Sequence, residues 1–141
     1  MPTRTASATW NGDLKTGNGN FKGSSGNLSG TYSFGTRFEG VPGTNPEELV
    51  GAAHAACYSM ALSAGLGKNG LNPKSVTTKA DVTLDKVGDA FRITKIKLTC
   101  EASVPGADAN KVHEIANATK TGCPISAALS AVPIELELKV V

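Results

Sequence analysis

The chain has 141 residues, enough for one domain with a real core, and 14 Lys and Arg against 12 Asp and Glu leave a net charge of +2. The basic residues are scattered and aromatics are few, which excludes an extended nucleic-acid surface. Three cysteines, an odd number, do not suggest a secreted disulfide framework, and the first residues lack the apolar core of a signal peptide.

Residues 3–10 alternate loosely, with Arg4, Ala6, Ala8 and Trp10 on one side, as in a strand with one apolar face. Asn11-Gly12-Asp13 is turn chemistry. Residues 14–34 are Gly, Ser and Asn with a few apolar points, and read as two more strands joined at Gly23-Ser24-Ser25-Gly26. So little apolar surface needs another surface to hold it, and a second subunit would serve. Gly17-Asn18-Gly19-Asn20-Phe21 lacks the Lys-Ser/Thr and the following helix of a phosphate loop, and reads as a flexible turn. Residues 35–43 form a loop carrying Arg37.

Residues 44–66 read as the longest helix. Asn45 caps it, Pro46 takes the first helical position, and Glu47 and Glu48 face the positive end of its dipole. Leu49, Ala53, Ala56, Cys57, Met60 and Ala64 recur at helical spacing, and the remaining positions are mostly small and uncharged. Such a helix should be buried on nearly all faces. With its His, Tyr and Ser residues it should not be apolar enough to span a membrane, so a soluble cytoplasmic protein is expected. Gly65, Gly67 and Gly70 should end it. Two strands follow, at residues 76–84 and 91–104, paired as an antiparallel hairpin. Asp108 should cap a helix over residues 109–120 with Val112, Ile115 and Ala116 inward. Cys123-Pro124 opens a short helix to Ser130, and Ile134, Leu136, Leu138 and Val140 mark a final strand. With no repeat or linker, residues 1–141 read as a single α+β domain.

Cys57 lies mid-helix among small residues, where a lone cysteine could equally be a small buried hydrophobe. Cys123, at a helix cap, is placed where helix N–H groups stabilise a thiolate. Two such cysteines suit peroxide reduction, in which one becomes a sulfenic acid and the other condenses with it, although spacing alone does not bring them together. A thiolate in an apolar site needs a fixed cation. Arg37 could supply it and Glu47 could hold Arg37 by a bidentate ion pair, or both could be ordinary solvated or helix-terminal charges. Glu47 and Cys57 stand ten residues apart on one helix, ~15 Å, so Glu47 cannot touch its own Cys57. His54 is three residues before Cys57, as a core, tuning or ligating histidine. His113 is the other histidine and there is no Cys-x-x-Cys, so no metal site is expected. Cys100 shares strand parity with Ile96, Leu98 and Ala102 and is expected in the core.

Arg37, Asn45-Pro46-Glu47-Glu48-Leu49, Ala53-His54-Ala55-Ala56-Cys57 and Cys123-Pro124-Ile125-Ser126 together resemble the OsmC/Ohr family along the whole chain, the OsmC branch most. The resemblance implies an intertwined homodimer with antiparallel sheets wrapped around central helices. It implies a thiol peroxidase for organic hydroperoxides that draws electrons from a dithiol or dihydrolipoyl group and needs no cofactor. It makes Cys57 the peroxidatic and Cys123 the resolving cysteine, joined in a disulfide, with Arg37 the thiolate stabiliser and Glu47 its partner. The competing expectation is a non-catalytic dimer that senses oxidation or holds an apolar ligand.

Overall fold

A computed structural model describes all 141 residues, which form two compact units, Met1–Leu49 and Val50–Val141. In the first, β1 (Ala6–Asn11), β2 (Asn18–Gly23) and β3 (Ser29–Tyr32) form an antiparallel meander. The expected flexible turn at residues 17–21 is mostly strand: Asn18 begins β2, and Gly19 lies opposite both Trp10 and Tyr32. A Cβ on Gly19 would meet the Tyr32 ring at 2.6 Å, so the glycine is there to let rings cover the backbone. Trp10 and Tyr32 meet over it with ring centres 5.5 Å apart and planes tilted by 47°, and the Phe21 ring covers Gly30.

The expected loop at residues 35–43 instead opens with a five-residue helix, α1 (Phe34–Phe38). Its cause is local: Ser33 accepts the Thr36 N–H, and the Thr36 hydroxyl accepts the Ser33 N–H, a reciprocal cap. Helix α2 (Pro46–Lys68) follows, with the Asn45 carboxamide oxygen accepting the Glu48 N–H. The helix runs through Gly65 and Gly67 and ends at Gly70, whose φ is +72°. Leu71 N–H returns to Leu66 and Gly70 N–H to Gly67, a Schellman stop.

In the second unit the residues of α2 that are buried are Gly51, His54, Tyr58, Leu62 and Leu66, one stripe at a spacing of three to four. Ala52, Ala53, Ala56, Met60 and Ala64 are exposed in this chain, so within one chain the helix buries one stripe and leaves its alanine face open. Its alanines also raise an 18-residue window to a mean hydropathy of 1.3; by length and composition α2 is apolar enough to cross a membrane, against expectation.

Strands β4 (Ser75–Val87) and β5 (Ala90–Ser103) form the expected antiparallel hairpin about a Gly88-Asp89 turn, with Gly88 at φ +64°. Strand β6 (Ile134–Val140) adds to β5 in parallel, so this sheet is mixed. The crossover between them carries α3 (Ala109–Gly122), capped by Asp108, and α4 (Pro124–Ala128), capped by Cys123. The core joins the α2 stripe to Ile96, Leu98, Cys100, Ala102 and Val104 of β5 and its end, and to Val112, Ile115 and Ala116 of α3. Cys100 is 2% exposed there, as its strand parity predicts.

Candidate functional site

The first unit holds the charged constellation. Serine-capped α1 aims Arg37 at the first turn of α2, where Glu47 receives Nε at 3.0 Å and Nη2 at 2.8 Å. Both donors land on Oε1, so the pair is not the oxygen-for-oxygen bidentate grip expected. Oε2 is buried and has no partner. Glu47 is 10% exposed at its side chain and Arg37 38%, so the carboxylate is the desolvated member. A hollow of about 440 Å³, lined by Trp10, Leu14, Tyr32, Phe34 and Phe38 among others, opens beside Arg37.

The second unit holds the cysteines. Cys57 is half-buried in mid-α2 and Cys123 is buried at the junction of α3 and α4; both are free thiols. The two thiols are near enough that Cys123 disfavours ionisation of Cys57. Burial pushes the Cys57 thiol up, a hydrogen bond from the Ile125 backbone N–H pulls it down, and the neighbouring Cys123 pushes it up again. Pro124 at the first helical position fixes the chain direction, so that the Ser126 N–H reaches Cys123 Sγ at 3.3 Å. Cys100 is held with its thiol pushed up by burial and stands in the core beneath Tyr58, whose hydroxyl donates to the Ala116 carbonyl at 3.0 Å.

His54 is fully buried, with Nε2 2.7 Å from Ser126 Oγ and Nδ1 without a partner. Burial lowers its pKa and keeps the imidazole neutral near pH 7. Sequence reasoning found His54 but not its partner, 72 positions away. The backbone N–H groups of Ile125 and Ser126 were foreshadowed only by the Cys123-Pro124 cap. No group of three or more His, Cys, Asp or Glu is arranged to hold a metal. The donors instead suit thiol chemistry: two neighbouring cysteines, amide N–H groups directed at sulfur, and a buried neutral imidazole close to Cys123.

An OsmC-like protein family model matches residues 38–138. Peroxiredoxin OsmC of Escherichia coli (strain K12) is 51% identical over 138 residues, 96% of either chain. The organic hydroperoxide resistance protein OhrB of Bacillus subtilis (strain 168) is 33% identical over 103 residues, 72% of this chain and 74% of OhrB. The crystal structure of B. subtilis OhrB matches with a TM-score of 0.72 at 29% identity, covering 96% of this chain and 98% of that one.

Proposed function

This chain belongs to the OsmC-like protein family, and from that premise we propose that it is a thiol-dependent peroxidase that reduces organic hydroperoxides in oxidative or osmotic stress. Cys57, as thiolate, attacks the terminal peroxide oxygen. The O–O bond breaks, the alkoxide leaves and is protonated to the alcohol, and Cys57 becomes a sulfenic acid. The Cys123 sulfur then bonds to the Cys57 sulfur, water leaves, and a disulfide remains. A dithiol or dihydrolipoyl-type reductant returns both cysteines to thiols. The influence of Cys123 on Cys57 supports this reading, because condensation needs the two sulfurs as neighbours.

We assign Arg37 the positive charge that a thiolate in an apolar site requires and Glu47 the holding of Arg37; the Arg37–Glu47 hydrogen bonds support the second assignment. The apolar hollow beside Arg37 suits the organic part of a hydroperoxide. We read residues 1–141 as one OsmC-like domain working as a homodimer in the cytoplasm, without metal or organic cofactor and without a membrane or nucleic-acid partner. The apolar face of α2 at Ala53, Ala56, Met60 and Ala64 supports a second subunit, since it would otherwise face water.

A steady-state assay with cumene hydroperoxide and excess dithiothreitol tests the reading. Many turnovers per site are expected. A single stoichiometric oxidation followed by no turnover would instead make the chain a redox sensor or apolar-ligand binder.

A further inference from the structure

Resolution of the sulfenic acid requires Cys123 to shed a proton, and Cys123 is buried at 2% exposure, away from water. Its neighbours form a continuous chain. Cys123 Sγ donates to Ser126 Oγ at 3.1 Å, and Ser126 Oγ lies 2.7 Å from His54 Nε2. Ser126 is 2% exposed and His54 0%. A hydroxyl has one proton and can accept as well as donate. If Ser126 accepts from Cys123 and donates to Nε2, only the Nδ1–H of His54 stays unpaired. If His54 donates from Nε2 instead, both the Ser126 proton and the Nδ1 lone pair are stranded. Two buried unpaired groups cost more than one, so the structure favours an unprotonated Nε2 that faces the serine proton.

We propose that Ser126 and His54 form a buried proton relay that drives resolution, with Ser126 acting on Cys123 and His54 positioned behind it. This rests on the peroxidase reading above. As the Cys123 sulfur pair bonds to the Cys57 sulfur, the Cys123 S–H proton passes to Ser126 Oγ. The Ser126 proton passes in turn to His54 Nε2. The S–O bond of the sulfenic acid breaks with its electron pair on oxygen, and that hydroxide and the proton shed by Cys123 together make one water. One water leaves, and Ser126 and His54 return to their starting states. The Ser126 backbone N–H, 3.3 Å from Cys123 Sγ, steadies the sulfur while it carries negative charge. The titratable groups facing the relay are Cys57 and Tyr58 on α2, Cys123 at the start of α4, and Cys100 on β5 across Tyr58. Burial also keeps His54 neutral, the form that can receive a proton.

The test separates the two steps in the full chain. Wild type, Ser126→Ala, Ser126→Thr and His54→Gln are mixed rapidly with one equivalent of cumene hydroperoxide, trapped with dimedone at intervals and weighed intact. Ser126→Ala should form the sulfenic acid but close the disulfide ~100-fold more slowly, the low end of general-base contributions. Its resolution rate should also rise with pH to a higher midpoint than in wild type, because Cys123 must then ionise unaided. Ser126→Thr, which keeps the hydroxyl, should recover most of the rate. His54→Gln should behave like Ser126→Ala; should it fail to fold, Ser126→Ala, which removes one oxygen, still decides. Disulfide closure in Ser126→Ala at the wild-type rate, or slowed with an unshifted pH profile, overturns the relay. A wild type that forms neither sulfenic acid nor disulfide refutes the peroxidase reading itself and the relay with it.

Discussion

Removing Arg37 should destabilise the protein more than removing Glu47, and removing both should restore part of the loss. Arg37→Ala takes two donors at 2.8 and 3.0 Å from Glu47 Oε1, while Oε2 already has none, so a buried carboxylate is left with no partner. Breaking a fully buried ion pair by deleting one member costs about 3–5 kcal/mol. Here the Arg37 side is 38% exposed and lets water approach, which reduces the cost to about 2 kcal/mol. Glu47→Ala leaves a guanidinium that already reaches water, at a cost of about 1 kcal/mol or less. The double variant has no stranded charge and should also lose about 1 kcal/mol. At roughly 3 °C per kcal/mol for a domain of this size, Arg37→Ala should melt about 6 °C lower and the other two about 3 °C lower. A double-mutant cycle by thermal denaturation reads this directly. A double variant that loses the sum of the two single losses, about 9 °C, would show the pair uncoupled and refute the reasoning. The proposed assignment of Arg37 to the Cys57 thiolate has a kinetic test in the same variants: alkylation of Cys57 should need higher pH in Arg37→Ala. Arg37→Lys should rescue it poorly, because an ammonium lacks the planar fork.

The exposed alanine face of α2 and the thin, ring-covered sheet of β1–β3 predict an obligate dimer, and sedimentation showing a stable folded monomer at micromolar concentration would contradict it. His54 gives stability a pH dependence. Its folded pKa lies below the ordinary 6.5, so below about pH 6.5 the unfolded chain binds the extra proton, and stability falls as pH falls through that window. Wild type should therefore lose up to about 1.4 kcal/mol per pH unit there, and His54→Gln should show a shallower slope; equal slopes would remove His54 from the account.

The parts of the fold that sequence made legible are those set by near neighbours. Alternation marks β4, β5 and β6, Asp108 marks the start of α3, and Pro124 marks α4 with Cys123 as its cap. What escaped depends on distant partners. His54 and Tyr58 are polar by composition, and their core partners, Ser126 and the Ala116 carbonyl, lie 72 and 58 positions away. Alanine and Met60 count as apolar in any periodicity, and within one chain nothing covers them. Helix α1 is too short for periodicity, and only its Ser33–Thr36 cap announces it. The parallel pairing of β6 with β5 follows from the α3–α4 crossover, not from anything within β6. Of the candidate site, the four residues Arg37, Glu47, Cys57 and Cys123 were legible as residue types and motifs. That the first two hydrogen-bond through one oxygen, and that Ser126 bridges Cys123 to His54, was not.

The central claim is that Cys57 reacts with the peroxide and Cys123 resolves the product, and intact-mass spectrometry after one equivalent of organic hydroperoxide tests it most directly. Wild type should lose about two mass units per chain as the disulfide forms. Cys123→Ser should gain about sixteen, and about thirty-two with excess peroxide as sulfenic acid goes on to sulfinic acid. Cys57→Ser should stay unchanged, because a serine hydroxyl is not appreciably ionised near neutral pH. A Cys123→Ser chain that stays unmodified while Cys57→Ser gains oxygen would reverse the two roles, and a wild-type disulfide between Cys57 and Cys100 would contradict the account outright.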